Sequence, residues 1–240
     1  FRGFSLKYKN AGEDSLTGMD FAVKRGETVG IIGGTGSGKS SLVNMIPRFY
    51  DATGGEVLIG GRDVKSFEIP ELRERIGIVP QKAVLFKGTI RDNMRWGKDD
   101  ATDEEILAAA KTAQAADVIE SKGGLDFEIE QGGKNLSGGQ RQRFTIARAL
   151  VRKPEILILD DSASALDYAT DAALRKAIRE MDSTPTVFIV SQRTSSIQHA
   201  DKIIVLDDGK IAGIGKHDEL LKTCPVYSEI YNSQFKKEAV

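Results

Sequence analysis

Residues 33–40 read GGTGSGKS, directly after the apolar run TVGII and directly before SSLVNMIPRF. A Gly-x-x-x-x-Gly-Lys-Ser segment set between a strand and a helix is highly constraining. It needs a backbone that turns without side chains and then enters a helix at once. In that setting the N–H groups of Gly33, Gly34, Thr35, Gly36, Ser37 and Gly38 converge on phosphate oxygens, and the helix N-terminus adds a favourable dipole. Lys39 is expected to reach the β and γ phosphates, Ser40 to help hold Mg²⁺, and Ser41 to join the nucleotide contacts. A flexible glycine turn is the bland alternative, and it leaves the flanking pattern, the Lys and the Ser unexplained.

Short β-type runs recur along the chain: TVGII (28–32), GEVLIG (55–60), IGIVP (76–80), EILILD (155–160), TVFIV (186–190) and KIIVL (202–206). Several are continuously apolar, as expected of parallel strands buried on both faces. FSLKY and MDFAVKRGE, followed later by GEVLIGGRDV, predict a more antiparallel layer with Gly turns, and VLDDGKIAGIG predicts a hairpin turning at Asp208-Gly209. TDEEILAAAKTAQAADVIESK (102–122) predicts one long helix opened by a Thr102–Glu105 capping box. HDELLKTCPVYSEIYNSQF predicts a C-terminal amphipathic helix and tail packed on the core. The expected fold class is α/β: a P-loop NTPase core with a mostly parallel sheet, an N-terminal antiparallel β subdomain and an inserted α-helical subdomain. The expected organisation is one domain over 1–240, with the helical segment at 88–152 set into a core of 1–87 and 153–240.

With 240 residues, the chain is long enough for one large domain with a real core. Its 34 basic and 35 acidic residues leave a net charge of -1, so no global field draws it to nucleic acid or anionic lipid. Cys224 is the only cysteine, which excludes an internal disulfide and reads as an inert thiol. The apolar runs fall far short of the roughly 18 to 20 residues that cross a bilayer as a helix. The opening FRGFSLKY, without Met or signal peptide, suggests a domain of something longer.

EILILD ends an apolar strand in Asp160, which places a carboxylate at the carboxyl edge of the sheet. There it can bind Mg²⁺ directly or through water, or simply cap a helix. The stretch NLSGGQRQRFTIARALVRKPEILILDD (135–161) narrows the class. Ser137 stands at an N-cap before Gly138, Gly139 and Gln140, and the following helix stops before Pro154. Such a helix start can bind phosphate, or it can be no more than a glycine-rich cap.

Taken together, these segments resemble the nucleotide-binding domain of an ATP-binding cassette (ABC) transporter over nearly the whole chain. The motif order is matched by Tyr8 as the adenine-stacking aromatic, the loop at 33–40, Gln81 in IVPQ, the signature Leu136–Gln140, Asp160, and Asp167 in SALD. On residues alone, Tyr8 could be a structural aromatic and Gln81 an ordinary loop residue. VLFKGTIRDNMRWG and IEQGGKNLSGGQ resemble the exporter branch, in which such segments face the membrane domain. The resemblance implies ATP and Mg²⁺ as ligands, a transmembrane domain fused upstream or separate, and a second nucleotide-binding domain packed head to tail. It also implies a place at the cytoplasmic face of the cell membrane, with membrane contact only through the transmembrane domain and no nucleic-acid partner.

The sequence departs from that pattern twice. Asp161 stands where active members usually carry Glu to polarise the attacking water, and Gln192 stands where a His contacts the γ-phosphate; His199 and His217 read as ordinary surface residues. An Asp is one methylene shorter, so its carboxylate retreats by roughly 1 to 1.5 Å, and a misplacement of about 1 Å can cost about 100-fold in rate. Gln192 donates a hydrogen bond but carries no titrating charge. Both changes weaken one step, and together they resemble the degenerate-site half of a heterodimeric multidrug-type exporter. A homodimeric exporter with active sites, a cassette ATPase acting on DNA or ribosomes, and a regulatory nucleotide sensor are the alternatives.

Overall fold

The computed structural model describes residues 1–235. Residues 236–240, which the sequence reading placed in the core segment, lie outside the described residues. Two compact units form: Phe1–Arg75 together with Thr186–Val240, and Ile76–Pro185.

The first unit opens with β1 (Arg2–Leu6), β2 (Leu16–Met19), β3 (Thr28–Gly33), α1 (Lys39–Asn44), β4 (Gly54–Glu56), β5 (Leu58–Ile59), β6 (Arg62–Asp63) and α2 (Ile69–Glu74). The second unit holds β7 (Ile76–Val79), β8 (Gly88–Thr89), α3 (Ile90–Arg95), α4 (Asp103–Thr112), α5 (Ala116–Ser121), β9 (Glu128–Ile129), α6 (Gly138–Leu150), β10 (Ile156–Asp160) and α7 (Tyr168–Arg179). The chain then returns to the first unit with β11 (Thr186–Val190), β12 (Lys202–Asp207), β13 (Lys210–Gly215), α8 (His217–Thr223) and α9 (Pro225–Phe235).

In the first unit β3 lies between β11 and β12, parallel to both, and β13 closes the edge antiparallel to β12. Every residue of β3 and β11 is buried, which accounts for their continuous apolar runs. A separate antiparallel layer orders its strands β2, β1, β4, and Phe4, Leu16 and Met19 are fully buried within it. In the second unit β7 and β10 pair in parallel, and α6 packs on β7, α3 and α4. Phe144, Ile146 and Ala147 of α6 are fully buried, each large side chain contributing about 1.5 to 3 kcal/mol by leaving water. The fold is therefore α/β with mostly parallel strands, an antiparallel β layer and helices.

Several elements differ from expectation. GEVLIG is not one strand. Gly55 adopts φ +67°, β4 pairs with β1, and Leu58–Ile59 pairs with Arg62–Asp63 instead. MDFAVKRGE is strand only as far as Met19: Phe21 still exchanges backbone hydrogen bonds with Phe1 at 3.0 and 3.1 Å, and Glu27 N–H then closes a turn on Lys24 O at 3.1 Å. The helix after the glycine loop is shorter than SSLVNMIPRF. Pro47 lacks an N–H, and the backbone tightens to i→i−3 bonds at Met45 and Ile46.

The helix expected over 102–122 is broken in two, although its Thr102–Glu105 capping box forms. Gln114 takes φ +58°, Ala115 N–H donates to Ala110 O at 2.7 Å and Gln114 N–H to Lys111 O at 3.1 Å. These two bonds are a Schellman closure with Gln in the place usually given to Gly. Arg143 fixes the break by donating to Gln114 O at 2.5 Å. The C-terminal helix is likewise two helices, since Cys224 before Pro225 is extended. Nor is His217 an ordinary surface residue: it is half-buried and its Nδ1 meets the hydroxyl of fully buried Tyr227 at 2.7 Å.

Candidate functional site

The register of the first unit gathers three strand ends at one edge. Val190 lies opposite Ile31, and Leu206 opposite Gly33. Gln192, two residues past Val190, therefore stands level with Gly33, and the turn after β12 comes to the same edge. This is the carboxyl edge at which open α/β sheets take ligands. The turn is the expected hairpin: Asp207 pairs with Lys210, and Asp208 and Gly209 have φ +44° and +70°.

Gly33 cannot carry a side chain, because an added Cβ would lie 2.2 Å from Leu206 O and 2.5 Å from Ser37 Oγ. Gly36 and Gly38 hold φ +81° and +96°, which lets the loop curl over the start of α1. Lys39 Nζ donates to Gly33 O at 2.9 Å and Gly34 O at 2.7 Å, holding the ammonium over the loop. Ser37 Oγ is buried and has no hydrogen-bond partner.

Beside the loop lies a cavity of about 470 Å³ lined by Tyr8, Gly36, Gly38, Lys39, Ser40 and Ser41. Glu13, Asp14, Ser15, Asp208 and Gly209 complete its wall. The size suits a nucleotide-scale ligand, and the loop offers N–H donors and a cation to phosphates. Half-buried Tyr8 is oriented rather than loose, for its hydroxyl pairs with Ser41 Oγ at 2.8 Å and its ring meets Tyr50 edge-on at 4.9 Å. Gly33, Gly34, Thr35 and Ser37 belong to the loop but do not line this cavity. The five further wall residues were not among the sequence candidates. Only Asp208-Gly209 carried a signal, as a hairpin, and its arrival here depends on β12 lying beside β3.

The second unit repeats the register logic. Leu159 lies opposite Val79 in the parallel pair, so Asp161 and Gln81, each two residues on, are level. Gln81 Nε2 donates to Asp161 Oδ2 at 3.1 Å, engaging one of the two carboxylate oxygens. Asp161 has φ +46°, and its carbonyl accepts from Ser164 N–H at 3.3 Å and Ser164 Oγ at 2.8 Å. A left-handed backbone suits Asp better than Glu, because a short polar side chain tolerates it. Asp160 ends β10, half-buried.

Ser137 caps α6 with a reciprocal box: its Oγ accepts from Gln140 N–H at 3.2 Å, and Gln140 Oε1 accepts from Ser137 N–H at 3.0 Å. The Ser137 hydroxyl proton is left to donate outward, and Ser137 and Gly138 are exposed. Gly139 approaches Ala165 O, 3.3 Å from where its Cβ would be. Asp167 caps α7, accepting from Thr170 N–H at 2.9 Å and Thr170 Oγ1 at 2.7 Å, and the backbone bond foremost holds its carboxyl below the usual range.

A glycine loop between a buried parallel strand and a helix, with a lysine held over it, defines a nucleotide-binding P-loop domain. Residues 16–164 match the family model described as ABC transporter. The chain is 44% identical over 239 residues to the ABC transporter ATP-binding protein YfiB of Bacillus subtilis, covering 99% of this chain and 41% of that protein. It is 43% identical over 235 residues to YgaD of Bacillus subtilis, named for multidrug export as an ATP-binding/permease protein, covering 98% and 40%. Its backbone superposes on the solved structure of a bacterial Atm1-family ABC exporter with ATP bound, at TM-score 0.92 and 38% identity, over 100% of this chain and 42% of that one. The chain belongs to the ABC transporter family, as its ATP-binding domain. It spans about two fifths of the length of these relatives.

Proposed function

We propose that the chain is the ATP-hydrolysing motor domain of an exporter and that its own phosphate-loop site turns over slowly. The exporter reading is supported by YgaD and by the Atm1-family structure. The slow-site reading is carried by Asp161, whose short carboxylate is already engaged by Gln81 at 3.1 Å.

In this reading Tyr8 stacks on adenine. The N–H groups of Gly33, Gly34, Thr35, Gly36, Ser37 and Gly38, with Lys39 and Ser41, hold the phosphates. Ser40, Gln81 and Asp160 would hold Mg²⁺, which would supply positive charge against the phosphate oxygens. Among the described residues no group of three or more His, Cys, Asp or Glu forms a metal cage.

Asp161 orients the attacking water and accepts its proton, while Gln192 donates its amide to the γ-phosphate. The shortened carboxylate raises the barrier by about 3 kcal/mol. Leu136–Gln140 completes the site of a second nucleotide-binding domain, and that partner carries the Glu and the His. ATP closes the pair, and hydrolysis with phosphate release reopens it.

The helical subdomain is residues 88–152 within a core of 1–87 and 153–240. The motor acts on a transmembrane domain at the cytoplasmic face of the cell membrane. Among the described residues no helix is long and apolar enough to cross a membrane.

The test is steady-state Mg-ATP hydrolysis by the chain, with ATP binding followed in parallel, alone and mixed with a partner domain bearing Glu and His at the two positions. Binding with negligible turnover alone and brisk turnover on mixing is the expected result. Brisk turnover alone means that Asp161 and Gln192 suffice, and a homodimeric motor then replaces the proposal.

A further inference from the structure

The segment leaving β11 is tied to the far end of the chain. Gln234, near the end of α9, places its side-chain amide against the backbone of residues 192–194. Its Oε1 accepts from Thr194 N–H at 2.9 Å and from Thr194 Oγ1 at 3.0 Å, and its Nε2 donates to Gln192 O at 2.7 Å. The amide orientation is fixed by its partners, since a backbone N–H can only donate and a carbonyl can only accept. One side chain therefore satisfies both sides of the short turn that carries Gln192.

The rest of the turn is secured from other directions. Ser191 N–H donates to Ile31 O at 3.1 Å and Ser191 Oγ accepts from Arg193 N–H at 2.9 Å. Thr194 is fully buried. The Gln192 side chain is exposed, and its own carbonyl is the point that Gln234 holds.

The anchor is itself well placed. α9 packs on β3, on β12 and on the 194–196 turn, and it is seated by Tyr227, fully buried and paired with His217. α9 thus joins the strand that feeds the glycine loop to the turn that stands level with it.

We infer that Gln234 is a positioning residue for Gln192: it fixes the backbone of residues 192–194 so that the Gln192 amide meets the γ-phosphate of bound ATP. The inference rests on the reading of Gln192 as the γ-phosphate contact. It makes the C-terminal helix part of the discrimination between ATP and ADP.

The experiment measures the affinities of the chain for ADP and for a non-hydrolysable ATP analogue, both with Mg²⁺. The chain is compared with Gln192→Ala, Gln234→Ala, Gln234→Glu and the double variant Gln192→Ala/Gln234→Ala. Gln234→Glu keeps an acceptor for Thr194 but sets a carboxylate oxygen against Gln192 O, so it serves if the alanine variant unfolds. The readout is the ratio of analogue to ADP affinity, which a general loosening of α9 leaves unchanged because both nucleotides lose alike.

The expected result is that Gln192→Ala and each Gln234 variant lower this ratio roughly fivefold, about the net worth of one hydrogen bond, and that the double variant falls no further. If Gln192→Ala lowers the ratio and the Gln234 variants do not, or if the effects multiply, the positioning role is overturned while the reading of Gln192 stands. If Gln192→Ala leaves the ratio unchanged, the reading of Gln192 fails and the inference falls with it.

Discussion

The two parallel strand edges of this protein put their candidate groups in place by different means. At the edge of β3, β11 and β12, phosphate recognition is built mostly from backbone: positive-φ glycines, N–H groups and a carbonyl-anchored lysine. At the edge of β7 and β10, the same register brings two side chains level, and in the proposed mechanism the chemistry rests on the length of one of them. A backbone-built site tolerates little substitution at its glycines and keeps holding its ligand while side chains around it change. A side-chain site can lose most of its rate through one methylene and keep its architecture. A domain with both can remain an ATP-binding element after its own hydrolysis has declined.

The contrast breaks first, if it breaks, at neighbouring glycines. Gly33→Ala forces a Cβ against Leu206 O, and is expected to cost about 3 kcal/mol of unfolding free energy and abolish nucleotide binding. Gly34→Ala meets nothing within 4 Å and should change stability by less than about 1 kcal/mol. Urea denaturation with nucleotide titration checks both, and equal effects would refute a backbone-built loop. At the side-chain edge, Asp161→Glu combined with Gln192→His should raise Mg-ATP turnover about 100-fold with little change in ATP affinity. A chain that still binds ATP, pairs with a second copy and gains nothing counts against the slow-site reading.

Lys39→Ala sharpens the comparison from the other side, since it removes the cationic side chain held over the backbone-built loop. ATP affinity should fall roughly 30-fold, a loss of about 2 kcal/mol typical of a charged hydrogen-bonding group, as calorimetry would show. The smallest effect is expected at Gln114, where a side chain occupies a backbone position that favours glycine. Gln114→Gly should raise the unfolding free energy by about 0.5 to 1 kcal/mol, read as a shift in melting temperature. A loss of stability there would mean that the bonds from Gln114 Nε2 to Lys111 O and Thr112 O outweigh the strain.

The glycine loop, the parallel strands and the Asp208-Gly209 hairpin were legible in the sequence because each is fixed by short-range chemistry. Continuous apolar runs require burial on both faces, and an Asp-Gly pair between alternating residues supplies the two positive φ angles of a tight hairpin. The break at Gln114 was hidden, because a run rich in Ala and Glu has helical propensity throughout and the Schellman closure uses Gln without the usual glycine signal. The split of GEVLIG has two causes: β4 is claimed by β1, which is distant in sequence, whereas Leu58–Ile59 folds straight back on the adjacent Arg62–Asp63.

By itself the sequence determined the local chemistry: a phosphate loop with its lysine, a capped signature helix, and carboxylates at the end of a buried strand. Only the tertiary structure decided which strand ends stand level with one another. The register sets Gln192 level with Gly33 and Gln81 against Asp161, and the packing of α9 sets Gln234 on the turn at 192–194. The physical reason is range. Backbone dihedrals and caps are settled within a few residues, whereas register and docking are settled by burial summed over strands and helices that meet only when the chain has folded.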